Sequence, residues 1–589
     1  MIKTLLKTLG ILSPAERWRG AMLVGLMAIL AAMEAAGVAS IAPFLAVLGN
    51  PGIIETNPYL NQTYHALGFT SSHTFLIVLA GFSLVVLIVV SALRTLVNFS
   101  LYRFANMRRH AIGMRLMNRY LQQPYSFFLG RNSSELSKTI LSEVDQLIDN
   151  AIIPILLLFS FSLVLLALIT LLLAIDPMLA IMLSAAIGGL YTLLYNGLRG
   201  TLKRMGAGRE RANSERYRAA AEVLGGIKEL KVLGRDRAYV DMFRKPSLRF
   251  SSYQATSTAL AEIPKYLVEG LGFASVLVVS LVLLARAGGM SDALPLIGLY
   301  AYAGYKMLPA MHQIYRTFVK LRFIAPAVDT IAKEIGDVNV QSASADVVSA
   351  RLPLRELITL ENISFCYSGS EIPVFKDVTV SIRAGSIAGI IGATGAGKST
   401  LVDLLLGLLE PTTGRVLIDG SPLTASAQRA WNNNVGYVPQ HIFLTDDTIA
   451  RNIAFGVDSN AIDRAAVEHA ARLAQVHDFI SQSLPQGYDT VIGERGVRLS
   501  GGQRQRLGIA RALYHDPQVV ILDEAMNALD QVTEIAVLSA VEQLAPAKTI
   551  IMITHRLATA QVCDQVLKVE QGRVIEIRGA ELRRTAYRS

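Results

Sequence analysis

Cysteine is nearly absent from this chain of 589 residues: only Cys366 and Cys563 occur, both in the second half. A single pair excludes a disulfide framework as the source of stability, and both thiols are expected to be reduced and structural. Charge is scarce too. Acidic and basic residues make up 17% of the chain against 52% hydrophobic residues, and the mean hydropathy is +0.40. Those proportions exclude an ordinary soluble protein and suit one lying partly in a membrane. The length excludes a single compact domain. The N-terminus lacks a small-residue cleavage site after its apolar part, so a removed signal is not expected. Ile2, Leu5, Leu6 and Leu9 instead recur at helical spacing with Lys3 and Lys7 opposite them. Residues 1–20 are therefore expected to lie as an amphipathic helix on the membrane surface.

The net charge of +10 raises nucleic acid as a partner, but no such role is expected. The basic residues gather in the links between apolar runs, as in loops facing the cytoplasm and its anionic leaflet. A membrane-crossing helix needs about 20 apolar residues, because only a helix satisfies its own backbone there. Six stretches qualify: 21–48, 75–97, 152–174, 178–198, 267–285 and 293–311. Residues 50–73 contain no Lys or Arg, whereas the links 99–150 and 199–258 are long and rich in arginine. This asymmetry puts both chain ends and the two long links in the cytoplasm. Each long link is expected to carry helices below the membrane and to turn through a crosspiece, at 125–140 and 225–234. Their apolar residues favour docking on a cytosolic domain. Residues 21–335 thus read as an all-α six-span domain, with coupling segments near 125–140 and 224–234. In the outer loop, Tyr59, Leu60, Tyr64 and Leu67 after Pro58 are placed to share one face of a short interfacial helix. The sequon at 61–63 is taken as incidental.

Four ionisable residues fall inside or at the ends of these spans: Glu34, Arg94, Glu269 and Lys306. Charge there is costly and points to function. Glu34 and Arg94, on adjacent spans, are also placed simply to pair, and Arg94 is placed to snorkel from the end of its span. If they face a central cavity instead, Arg94 and Lys306 favour an anionic headgroup such as a phosphate.

After a linker at 336–352 the pattern changes, over 353–589, to alternating strands and Gly-rich turns. GATGAGKST follows the β-rich run SIAGII and precedes the apolar run LVDLLLGLL. This is a phosphate-binding loop in its strand–loop–helix setting: Gly392, Gly395 and Gly397 let backbone N–H groups turn to phosphate, and a helix N-terminus follows. Lys398 is expected at the β- and γ-phosphates, and Ser399, beside Thr400, at Mg²⁺. VVILDE is an apolar strand ending in Asp523, placed to hold Mg²⁺ through water, and Glu524, placed to polarise the attacking water. Between them, LSGGQ puts Ser500, Gly501, Gly502 and Gln503 at another helix N-terminus, a second phosphate-binding device. One nucleotide needs one such loop, so the second serves a nucleotide held by a partner subunit.

The whole set, over nearly the entire chain, resembles ATP-binding cassette proteins. The resemblance implies a multidomain chain, an all-α six-span transmembrane domain fused to an α/β P-loop nucleotide-binding domain, working as a homodimer with ATP and Mg²⁺. It implies that Tyr367 stacks on adenine, that Gln440 touches Mg²⁺, that Asp530 lies at the dimer interface and that His555 senses the γ-phosphate. GERG at 493–496 resembles the exporter segment that contacts coupling helices. One departure is visible: Met526 and Asn527 stand where exporters commonly carry Thr and Ser, beside the interface but at no catalytic position. No cysteine-peptidase domain precedes the membrane part, so a processing bacteriocin exporter is not expected. Among type IV exporters the membrane half most resembles PglK-type lipid-linked oligosaccharide flippases, through NPYLNQTYHALGF, SALRTLVNF, EIPKYLVEGLGF and YKMLPAMHQIYRTF. That implies a polyprenyl-pyrophosphate glycan moved between leaflets of a bacterial inner membrane, with the cassette in the cytoplasm. An exporter of drugs, lipids or peptides is the alternative, and a cassette-gated channel or sensor a third.

Overall fold

The computed structural model describes residues 2–286, 290–336, 351–526 and 530–577. The expected linker falls almost wholly outside these residues, as does Asn527. The chain divides into two units, residues 1–123 with 127–341, and residues 342–589 with 124–126.

The first unit is helical. Helix α1 (Ile2–Ile11) ends before α2 (Pro14–Ala39), where Ser13 and Glu16 close a capping box and Pro14 occupies the first turn. The surface helix expected over 1–20 is thus two elements. The expected lipid-facing side is also largely covered by protein: Leu5 and Leu9 pack beside Leu23, Leu101 and Ile324, and Lys7 pairs with Asp329. Leu6 stays exposed. The first expected span is broken at Ser40, where α3 (Ile41–Gly49) begins. Pro43 in its first turn has no N–H to offer the carbonyl of Ala39.

In the outer loop, α4 (Ile53–Thr56) leads to α5 (Pro58–Ala66), whose N-cap Asn57 accepts from the N–H groups of Tyr59 and Leu60. Leu60 and Tyr64 pack on Val47, Ile54 and Phe75. Tyr59 and Leu67 are exposed, so the expected common face is divided. Next come α6 (Ser72–Leu121) and the short α7 (Tyr125–Leu129). Then α8 (Ser133–Ser137), α9 (Val144–Leu147) and α10 (Ile153–Ile175) are joined by π-helical segments into one rod. The first crosspiece is therefore only α7, because from Ser133 the chain is already part of the next rod. The second is α12 (Ile227–Leu233), between α11 (Pro177–Gly225) and α13 (Asp236–Arg286). Gly234, at φ 61°, closes it in the left-handed conformation. Helix α14 (Met290–Gly336) completes the unit. Among the described residues, the helices at Pro14–Gly49, Ser72–Leu121, Ser133–Ile175 and Pro177–Gly225 are long and apolar enough to cross a membrane. The stretches expected as the fifth and sixth spans lie within α13 and α14.

Helix α11 approaches α14 closely at Gly206, where a Cβ would lie 2.0 Å from the Phe323 carbonyl oxygen. That neighbour is backbone, so it cannot rotate away. Gly206→Ala is expected to cost about 1–3 kcal/mol of overpacking strain, read as a lowered thermal midpoint of the purified protein.

The second unit holds two sheets. Strands β1 (Leu357–Phe365), β2 (Phe375–Arg383), β4 (Thr413–Ile418) and β5 (Ser421–Pro422) pair antiparallel in the order β2-β1-β4-β5. The other sheet runs β10-β9-β3-β8-β7-β6. It contains β3 (Ile387–Gly392), β6 (Val435–Val438), β7 (Val519–Asp523), β8 (Thr549–Ile553), β9 (Gln565–Glu570) and β10 (Arg573–Ile577). All its pairings are parallel except β10 with β9. Every residue of β7 and β8 is buried, which is why both read as nearly continuous apolar runs. The described helices include α15 (Lys398–Leu405), α16 (Ala425–Asn432), α17 (Ile449–Ile453), α18 (Arg464–Leu473), α19 (Gly501–Leu513) and α20 (Gln531–Leu544).

Candidate nucleotide site and membrane charge cluster

The phosphate loop runs from β3 into α15. Gly395 and Gly397 take φ of 81° and 105°, conformations that residues with a Cβ rarely adopt. A Cβ at Gly392 would lie 2.4 Å from the Val569 carbonyl oxygen, so close packing fixes glycine there too. Lys398 folds back across the loop, its Nζ donating to the carbonyls of Gly392 and Ala393, each at 3.0 Å. Burial lowers the pKa of its ammonium, and the nearby carboxylates of Glu524 and Asp523 oppose that shift. Ser399 is exposed at the helix N-terminus, while Thr400 is buried. A cleft of 730 Å³ opens beside the loop, lined by Pro373, Thr394, Gly395, Ala396 and Gly572 among others.

One strand of the parallel sheet, β7, brings two acids to this loop. Asp523 ends β7, almost buried; desolvation and the neighbouring Glu524 raise its pKa. Tyr437 of β6 approaches it with its hydroxyl, 3.5 Å away. Glu524 takes φ of 50°, the left-handed region that costs an L-residue about 1–2 kcal/mol and that recurs at functional sites. Its carboxylate is clasped from both sides: Gln440 Nε2 donates to one oxygen at 2.8 Å, and His555 Nε2 lies 2.9 Å from the other. The structure thus brings Gln440, Glu524 and His555 together from loops after β6, β7 and β8.

Ser500 caps α19 in a capping box, its Oγ accepting from the Gln503 N–H at 3.2 Å and its own N–H donating to Gln503 Oε1 at 2.8 Å. Gly501 and Gly502 form the first turn that follows. Asp530 caps α20, accepting from the Thr533 N–H at 3.0 Å, and these hydrogen bonds lower its pKa. Met526 is buried. Neither cysteine is in a disulfide, and burial pushes the Cys563 thiol up to about 12.

One contact and one residue escaped the reading of the sequence. Thr400 shares a hydrogen bond with the hydroxyl of Tyr367, at 2.9 Å, tying the expected adenine-stacking ring to the phosphate loop. Arg511 of α19 donates to the carbonyls of Phe443, at 2.7 Å, and Asn452, at 2.8 Å. It fastens the LSGGQ helix to the segment that follows Gln440. Burial pushes its pKa down to about 10. The arginines of RQRLGIARAL were the signal, but no spacing rule says which of them turns inward.

In the membrane unit, Glu34 is buried and ion-paired with both Arg94 and Lys306, the latter at 3.3 Å. Helices α2, α6 and α14 are thereby joined. Arg94 shares a face of α6 with the buried Val90, Val97 and Leu101 and reaches the buried Glu34, while its side chain stays 43% exposed. Lys306 also lies over the Tyr302 ring, 5.7 Å from its centre. Glu269 is not part of this cluster; its partner is Lys265, one turn away at 3.9 Å.

Two family models match the chain: "ABC transporter transmembrane region" over residues 40–291, and "ABC transporter" over residues 375–527. The chain belongs to the ABC transporters. It is 28% identical to the ATP-dependent lipid A-core flippase of Cupriavidus pinatubonensis over 472 residues, 79% of this chain and 78% of that one. To the heterocyst differentiation ATP-binding protein HepA of Nostoc sp. it is 32% identical over 392 residues, 66% of this chain and 63% of the relative. Its fold matches that of a bacterial Atm1-family ABC exporter with ATP bound, at a TM-score of 0.79 and 23% identity over 98% of this chain and 97% of the other. The transporter is thus a multi-pass membrane protein with exporter architecture, and an ATPase that couples hydrolysis to movement of a substrate.

Proposed function

We propose that the transporter works as a homodimer in a bacterial inner membrane, its cassettes in the cytoplasm, flipping a lipid-linked oligosaccharide on polyprenyl pyrophosphate to the periplasmic leaflet. The observation that carries this reading is the Glu34–Arg94–Lys306 cluster. Two cations share one buried carboxylate, leaving a positive excess within the membrane unit, where charge is costly and kept for function. An anionic headgroup is what such an excess serves. Similarity to a lipid A-core flippase over 79% of the chain supports a lipid as cargo.

On the nucleotide side, Lys398 and the loop glycines bind phosphate and Tyr367 stacks on adenine. Glu524 polarises the attacking water and His555 senses the γ-phosphate. Ser399, Gln440 and Asp523, the last through water, are hard oxygen donors of the kind Mg²⁺ takes alongside phosphates. The ion would neutralise charge on the β- and γ-phosphates. Ser500–Gln503 of one chain receive the nucleotide of the other, with Asp530 at their interface. ATP drives the cycle through its preference for the closed dimer.

The test is a liposome assay with a fluorescent polyprenyl-pyrophosphate glycan, its leaflet position read by enzymatic accessibility. Wild type is expected to move it with ATP, and Arg94→Gln or Lys306→Gln to slow movement about tenfold with ATPase retained. Brisk ATP turnover without movement of the lipid would discard this cargo and turn attention to drugs, other lipids and peptides.

A further inference from the structure

A second ionic node lies further along α14. Glu262 of α13 holds two α14 side chains one turn apart: His312 Nε2 is 3.2 Å from one carboxylate oxygen and Arg316 Nε 3.0 Å from the other. Lys320, a further turn on, lies within electrostatic reach of Arg316, Glu262 and Asp149. Glu262 and Asp149 balance Arg316 and Lys320, so the positive charges of the node are held by carboxylates that an incoming anion would have to replace. His312 Nδ1 is buried without a hydrogen-bond partner among the described residues.

The two nodes belong to one stripe. At 3.6 residues per turn, positions 306, 312, 316 and 320 fall within an arc of about 120° and extend about 21 Å along the helix. Its own chain leaves this side partly open: Tyr305 and Pro309 are exposed and Arg316 is half-covered, while the His312 side chain is mostly buried. Met307, Tyr315 and Val319 are buried on the other flank. Charged residues on membrane helices face an interior or water-filled surface, not hydrocarbon. The Glu262 node sits just past residue 311, the expected cytoplasmic end of the sixth span and the level of headgroups in that leaflet. The Glu34 node is six residues deeper, about 9 Å. Both are built alike, one carboxylate shared by two basic side chains that are held in place yet open to a stronger anion.

We propose that Glu262, His312 and Arg316, backed by Lys320, form a receiving site for the phosphate or pyrophosphate of a cytoplasmic-leaflet lipid, which then passes along α14 to the Glu34 node. This rests on the lipid-flipping reading above. The experiment measures binding of radiolabelled undecaprenyl pyrophosphate to the full-length transporter in nanodiscs of zwitterionic lipid, with ATP binding as the check on folding. The double variant His312→Gln/Arg316→Gln is expected to bind about tenfold more weakly. Arg316→Lys, which keeps the charge, is expected to retain binding. Wild-type binding that the double variant matches overturns the receiving site and leaves the flippase reading standing, and so does loss in Arg316→Lys equal to that of the double variant. No binding by wild type removes the lipid reading itself. Inorganic pyrophosphate added to the aqueous phase is expected to compete only weakly; competition equal to that of the lipid assigns the site to a soluble anion and overturns the proposal.

Discussion

Glu524→Gln is expected to lower ATP turnover by about 10²–10³-fold while ATP binding persists and the dimer stays closed. Glutamine has nearly the shape of glutamate, and its side-chain oxygen remains available to Gln440 Nε2 or to His555 Nε2, which now hold the carboxylate at 2.8 and 2.9 Å. What disappears is the negative charge, and with it the ability to polarise a water toward the γ-phosphate. The loss should therefore fall on kcat and spare nucleotide affinity, the pattern of an interaction made only in the transition state. Lys398→Ala, by contrast, removes a group aimed at ground-state phosphates and should weaken binding. Phosphate release measures the first effect, and retention of labelled ATP with the dimer on gel filtration measures the second. Hydrolysis within tenfold of wild type in Glu524→Gln would take the residue out of its role.

The nucleotide site was legible in the sequence because its parts are local. Gly395, Gly397 and Lys398 lie within four residues, and the strand before them and helix after them announce themselves by composition. The capping box of Ser500 and Gln503 is equally a matter of three-residue spacing. Charges in apolar runs could be found but only partly matched: Glu34 pairs with Arg94 of the adjacent span as its placement allowed, but Lys306 joins them from a helix far along the chain, and Glu269 has its partner one turn away. The N-terminal helix shows a different limit. The spacing of Leu5 and Leu9 reports an apolar face, but not whether lipid or α14 covers it. The first crosspiece was drawn too long for a third reason, since π-helical segments keep Lys138–Glu143 helical with no apolar repeat at the ordinary period.

Glu143→Gln is expected to destabilise the membrane unit by about 3–5 kcal/mol, a loss far larger than any surface ion pair gives. Glu143 lies in the first π segment and Arg209 on α11; both are fully buried and their charged atoms are 2.8 Å apart. The other Glu143 oxygen accepts from Asn213 Nδ2 at 2.9 Å, and Lys138 Nζ donates to Ser214 Oγ at 2.8 Å. Removing the carboxylate strands the guanidinium, already short of partners at Nε and Nη1 among the described residues, in a place that water does not reach. Replacing both charges tells a different story. Because desolvation offsets most of the attraction within a buried pair, Glu143→Leu/Arg209→Met should melt much closer to wild type than either single change. Thermal unfolding of the purified protein in nanodiscs reads both results. A single variant that melts with wild type would show that the pair is not sealed from solvent. A stable double variant with intact ATPase but lost transport would show that the clasp serves coupling, by holding the rod of α8–α10 to α11 in one register as both descend to their crosspieces.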